Sequence, residues 1–146
     1  MIPPFDADGN LPPGIHWAEW QEFEVRFGQT AYRRGLLRGL RSALDSLKQA
    51  GCMTAYVDGS FATSKVAPGD YDVCWDEMGV AIALLHPALR TFTNGRALQK
   101  ATFGGELFPA TAISDTQGSI YLEFFQIDRN TGRRKGIVAL DLRRMP

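Results

Sequence analysis

The sequence predicts an α+β domain, a small mixed β-sheet with helices packed against it. Three observations carry that prediction. The stretch "QTAYRRGLLRGLRSALDSLKQAG" places Leu36, Leu37, Leu40, Ala43, Leu44 and Leu47 at helical spacing. Two short apolar runs, "CMTAYVDG" and "DYDVCWD", have the length of strands and flank a Gly-Ser pair. The order helix, helix, strand, turn, strand, helix, strand suits helices layered on one sheet. A chain of 146 residues suffices for a single domain with a sizeable core, so residues 1–146 are read as one unit.

Taken in order, residues 1–15 are rich in Pro, Gly and Asp and read as an extended arm. "WAEWQEFEVRF" reads as a short helix with an aromatic face of Trp17, Trp20, Phe23 and Phe27, a packing surface. In the long helix that follows, Thr30 is the expected N-cap and Gly51 the terminating glycine. Arg33, Arg34, Arg38 and Arg41 are read as lying off the leucine stripe, most simply on a solvated face. After the two strands, "GVAIALLHPALRTF" reads as helical and broken near Pro87. Residues 94–118 give little pattern, with "FGGELFPATAI" loop-like around a short strand. "SIYLEFFQID" reads as a strand, "RNTGR" as a turn, and "GIVALDL" as a further strand or a short helix.

Composition narrows the function classes. Lys plus Arg balance Asp plus Glu, so no global field directs the chain to nucleic acid or membrane. The cysteines, Cys52 and Cys74, sit in or beside apolar runs without zinc-site spacing and read as reduced core thiols. No apolar run approaches the roughly 20 residues of a membrane span. "MIPPFDADGN" has no signal-peptide pattern, and the expected location is cytoplasmic. "DADGN" lacks the ligand spacing of a calcium loop, and "FGGELFP" lacks the Lys-Ser/Thr of a P-loop.

The chemistry concentrates in "VDGSFATSKVAPGDYDVCWD". Strand side chains alternate faces, so Asp70 and Asp72 point the same way, about 7 Å apart along the strand. Paired carboxylates repel unless a cation neutralises them, and Mg2+, a hard ion, takes carboxylates plus substrate phosphates. Gly59 allows close backbone approach and Ser60 offers a hydroxyl and an amide, together an expected phosphate cradle. A third carboxylate is expected from another strand. Glu123, embedded in an aromatic run, is the first candidate, and Asp128 the second. Asp58 is expected to support the site from behind, and Asp76 to end the strand. Glu106 is an acid without an assigned role, while Arg96 and Lys100 lie where they could reach a nucleotide. Arg129, Arg133, Arg134, Lys135, Arg143 and Arg144 form a basic cluster, which suits either an RNA backbone or triphosphate tail, or simply a solvated turn and terminus.

At Gly59-Ser60, followed after nine residues by Asp70-Tyr71-Asp72-Val73, the chain resembles the DNA polymerase beta-like nucleotidyltransferase superfamily, in particular its minimal single-domain bacterial members. The resemblance implies that Asp70, Asp72 and Glu123 hold Mg2+ and that Gly59 and Ser60 bind the phosphates of an NTP. Lys65 stands where such proteins carry an arginine-containing segment, and would supply its positive charge. It further implies transfer of an NMP from an NTP such as ATP to a hydroxyl of a protein or tRNA acceptor. Small bacterial relatives often belong to toxin–antitoxin or phage-defence pairs, so a cognate partner protein is an expectation too. Asp58 departs from the pattern, which usually has an apolar residue before the glycine. A second function class stays open: a catalytically silent module of the same fold that docks a partner protein through its aromatic face.

Overall fold

The leucine stripe forms a helix because it gives one side of the segment a continuous apolar surface. In the computed structural model, which describes residues 1–115 and 117–146, helix α2 spans Ala31–Gln49. Thr30 caps it, its hydroxyl accepting the Arg33 amide at 3.1 Å. Leu37, Leu40, Ala43, Leu44 and Leu47 are buried. The preceding helix α1 (Trp20–Phe27) buries Trp20, Phe23 and Phe27. Trp17 is not on it. Residues Gly14–Ala18 form strand β1 instead, leaving Trp17 about half exposed. The aromatic face is thus the packing surface expected of it, apart from Trp17, with Phe23 and Phe27 rings 4.8 Å apart, and the alternative docking role finds most of it in the core.

Five strands make one mixed sheet in the order β1-β5-β2-β3-β4. Strands β2 (Thr54–Asp58) and β3 (Tyr71–Trp75) follow the two apolar runs, and β4 and β5 are Gly105–Pro109 and Gly136–Asp141. The β2–β3 and β2–β5 pairs are antiparallel, and the β1–β5 and β3–β4 pairs parallel. The architecture is therefore α+β with a mixed sheet, as the element order predicts. "GIVALDL" resolves as a strand between β1 and β2, buried from Gly136 to Leu140, which suits its unbroken apolar run.

Alternation divides the sheet into two faces. Ala55, Val57, Tyr71, Val73, Trp75, Leu107, Val138 and Leu140 join α1 and α2 in the larger core. Cys74, Phe108, Phe125 and Ile137 form a smaller core on the other face, with Tyr56, Tyr121 and Phe124 packed against it. Asp58, Asp72 and Glu106 have the phase of that second face. Both cysteines are free and buried. No helix among the described residues is long and apolar enough to cross a membrane.

Three sequence expectations fail locally. Residues 79–92 form two short 3-10 turns, Ile82–Leu84 and Pro87–Arg90, because Pro87 holds His86 extended and the intervening chain has no helical stripe to bury. "SIYLEFFQID" is not a strand: Tyr121–Phe124 form helix α4. Tyr121 and Phe125 lie four residues apart and both pack on Phe108, with the Tyr121 ring stacked on it at 4.1 Å. Large side chains at every second position imitated a strand. In the poorly patterned 94–118 stretch lie most of helix α3 (Thr93–Phe103), kinked near its start where Asn94, Gly95 and Arg96 leave helical geometry, and β4, while Thr116 is outside the described residues.

Arg33 is the remaining correction. It is buried, not solvated. Its guanidinium donates to the carbonyls of Phe27, Phe61, Thr63 and Lys65 and lies 4.9 Å over the Phe61 ring. One side chain thereby ties α2 to the segment after Gly59-Ser60. Its position four residues before Leu37 puts it on the buried stripe after all. Arg33→Met, which keeps the apolar stem and removes the donors, is expected to destabilise the fold by about 2–4 kcal/mol, because a clamp of charge-assisted bonds is lost and carbonyls stay buried. Urea unfolding measures this as a lowered midpoint.

Candidate functional site

Sheet register builds the site. Asp58 on β2 pairs with Asp72 on β3, and Asp72 pairs with Glu106 on β4. Three adjacent strands thus set a row of carboxylates across the second face. Asp70, immediately before β3, adds a fourth. Carboxylate oxygens of Asp70, Asp72 and Glu106 lie within 4.8 Å of one another. Gly59 makes this packing possible: at φ +80°, a Cβ there would stand 2.6 Å from Asp72 Oδ2.

The row is neutralised at its ends. Lys135 Nζ lies 3.1 Å from Asp58 Oδ1, and this pair is largely buried. At the other end Glu106 receives Arg96 Nε at 2.9 Å and Lys100 Nζ at 3.2 Å. Neither Asp70 nor Asp72 has an ion-pair partner among the described residues. Burial pushes the Asp72 carboxyl up to about 7, with Asp70, Asp58 and Glu106 adding repulsion and Lys135 opposing it. Burial also raises Asp58 to about 6 despite Lys135. Asp70 is raised by burial, then by Glu106. Negative charge is thus least compensated at Asp70 and Asp72, which meet Glu106 where the three oxygens converge.

A cleft of about 760 Å³ opens over this row. Ser60, Thr63, Ser64 and Lys65 line one side, and Phe108, Tyr121, Phe124 and Phe125 another. Ser60 begins a single 3-10 turn, Ser60–Ala62, held by Arg33 from beneath. The N-terminal arm reaches the rim: Gly9 accepts the Ser64 amide at 2.9 Å, and the Asn10 side chain donates to Asp128 at 2.9 Å.

Of the residues singled out from sequence, Asp70, Asp72, Gly59 and Ser60 come together, with Asp58 beside them, and Lys65 lines the same cleft. Glu123 stands apart. It is exposed on α4 and faces Arg134 at 3.6 Å, because the segment is helical and turns it outward. Asp128 lies in a turn, accepting the Asn130 amide. Asp76 ends β3 and accepts the Met78 amide at 3.0 Å. The third acid of the convergent cluster is Glu106. Its signal was present in "GELFP", a single acid in an apolar run, but the two preceding glycines made the segment look like a loop. The basic cluster is mostly engaged within the chain: Arg133 with Asp8, Arg134 with Glu123, Arg143 with Asp141 and Arg144 with Glu19, while Arg129 lies 4.8 Å over the Phe124 ring.

Residues 3–141 match the model of a family of unknown function, DUF6932, and the chain belongs to that family. No curated protein and no solved structure matches the chain.

The raised Asp72 makes stability depend on pH in a definite direction. Between its ordinary value of 3.8 and its folded value near 7, the folded chain keeps a proton that the unfolded chain releases. Its contribution to stability is therefore present at low pH and lost as pH rises through that window. In chelator, Asp72→Asn is expected to be more stable than wild type above pH 7 and to converge on it only below about pH 4, where the unfolded carboxyl is protonated as well. Thermal unfolding of both proteins across that range measures the difference.

Proposed function

We propose that this member of the DUF6932 family is a magnesium-dependent nucleotidyltransferase. It moves an NMP from an NTP, such as ATP, to a hydroxyl of a protein or tRNA acceptor and releases pyrophosphate. The observation that carries this reading is the convergence of Asp70, Asp72 and Glu106, two of which, Asp72 and Glu106, line a cleft beside the Gly59-Ser60 turn. The donor set is all carboxylate oxygen, which suits a hard divalent cation such as Mg2+, and Asp70 and Asp72 have no ion-pair partner among the described residues. The superfamily resemblance at Gly59, Ser60, Asp70 and Asp72 supports the same reaction. When bound, the cation supplies Lewis acidity toward phosphoryl oxygens and lowers the pKa of a nearby hydroxyl.

The chain's own groups account for the rest. Gly59 and Ser60 present an unobstructed backbone and a hydroxyl to the phosphates, and Lys65 adds positive charge on the same side. Lys135 holds Asp58 and so limits the repulsion felt by Asp72. In the transfer, the acceptor oxygen forms a bond to the α-phosphorus. The bond from that phosphorus to the bridging oxygen breaks, and pyrophosphate departs with the electron pair. The hydroxyl proton passes to a carboxylate of the cluster. The aromatic wall of Tyr121 and Phe124 is placed to flank a planar base in the cleft. A cognate protein partner, as in toxin–antitoxin or phage-defence pairs, belongs to the same reading.

Calorimetric titration of Mg2+ and of each NTP separates the acids. Asp70→Asn/Asp72→Asn and Glu106→Gln are each expected to weaken Mg2+-dependent NTP binding by about 10–100-fold or more, whereas Glu123→Gln leaves it unchanged. A folded wild type that binds no NTP with Mg2+ would instead favour the catalytically silent docking module.

A further inference from the structure

We propose that Arg96 and Lys100 are polyphosphate-binding side chains parked on Glu106 until a metal-bound phosphate substrate displaces them. The inference rests on the nucleotidyltransferase reading and adds a partner exchange within the same cleft.

Both oxygens of Glu106 are occupied by the chain's own cations. Arg96 Nε is 2.9 Å from Oε2 and Lys100 Nζ 3.2 Å from Oε1. Glu106 is also one of the three acids whose oxygens converge within 4.8 Å. A cation bound at that convergence competes with Arg96 or Lys100 for Glu106. A displaced Arg96 then stands at the cleft wall with an unpaired positive charge, and a displaced Lys100 is freed one turn further along α3. Glu106 is well shielded, while Arg96 and Lys100 are both substantially exposed, so the two cations have room to swing toward a ligand.

The backbone at Arg96 is itself unusual. Asn94, Gly95 and Arg96 are consecutive left-handed residues, at φ 53°, 63° and 62°. Asn and Gly tolerate that region, but an arginine there is strained. From this position the guanidinium lies against Glu106 and 5.5 Å from the Phe108 ring, on the cleft wall. Strain of this kind gathers at functional sites. A guanidinium fork matches phosphate oxygens, and an ammonium one turn further along α3 adds a point charge. The ligand class is therefore a polyphosphate chain delivered with a divalent cation.

The test uses the full chain with Mg2+ and inorganic tripolyphosphate as probes, followed by calorimetry. Arg96→Gly is the variant of choice because glycine adopts the left-handed backbone without strain, so loss of folding does not confuse the result; Lys100→Gln is combined with it. The double variant is expected to bind Mg2+ alone several-fold more tightly, since the competitors for Glu106 are gone. It is expected to bind tripolyphosphate in the presence of Mg2+ about tenfold or more weakly. These opposite shifts separate exchange from simple positioning of Glu106, which would weaken Mg2+ binding as well. Either shift missing overturns the inference. If wild type binds Mg2+ and NTP, and Asp70→Asn/Asp72→Asn abolishes both, the nucleotidyltransferase reading stands even when the inference falls. If wild type binds neither, both fall together.

Discussion

Repulsion among four carboxylates gathered at one end of a sheet face is the constraint around which this molecule is arranged. Strand register leaves the acids no freedom to separate: Asp58 faces Asp72 across an antiparallel pair, and Asp72 faces Glu106 across a parallel one. Cations meet the row at both ends, Lys135 from the segment entering β5 and Arg96 with Lys100 from α3. The centre is left to whatever the cleft admits. A folded chain tolerates such a defect in its electrostatics where it serves binding, and burial makes the defect stronger.

The opposite face supplies the rigidity that holds those charges together. Tyr71, Val73 and Trp75 alternate with the acids on β3 and are buried against α1 and α2. The same strand therefore anchors itself in an apolar core with one set of side chains and displays carboxylates with the other. Arg33 extends that anchoring. It spends no charge on an acid and instead gathers the carbonyls of the loop that follows Gly59-Ser60. The Ser60–Lys65 side of the cleft is thus tied to the longest helix, and the acid side to the central strands.

Aromatic packing explains why the cleft has a wall where a strand was expected. Phe108 on β4 stacks with Tyr121 and contacts Phe125, and these contacts fold the segment as one helical turn lying over the second core. In turning, the chain carries Glu123 outward to Arg134. The acid closest to a convincing sequence pattern was displaced by packing, and the acid in an unpromising glycine-flanked run took the place beside Asp72. A local pattern of alternating large residues does not distinguish a strand from a short helix whose aromatics stack on a neighbour.

The sequence by itself determined the periodic elements and the local chemistry of the site. The α2 stripe, its Thr30 cap, strands β2 and β3, and the shared face of Asp70 and Asp72 follow from spacing along the chain, because helical and strand periods act within a few residues. The tertiary structure decided what spacing does not encode: the pairing of β3 with β4 that brings Glu106 to Asp72, the pairing of Lys135 with Asp58, and the burial of Arg33. It also decided that "GIHWA" is a strand, since β1 exists only against the edge of β5. Those outcomes depend on contacts between segments distant in sequence, whose geometry is set by the register of the sheet and by the packing of its two faces.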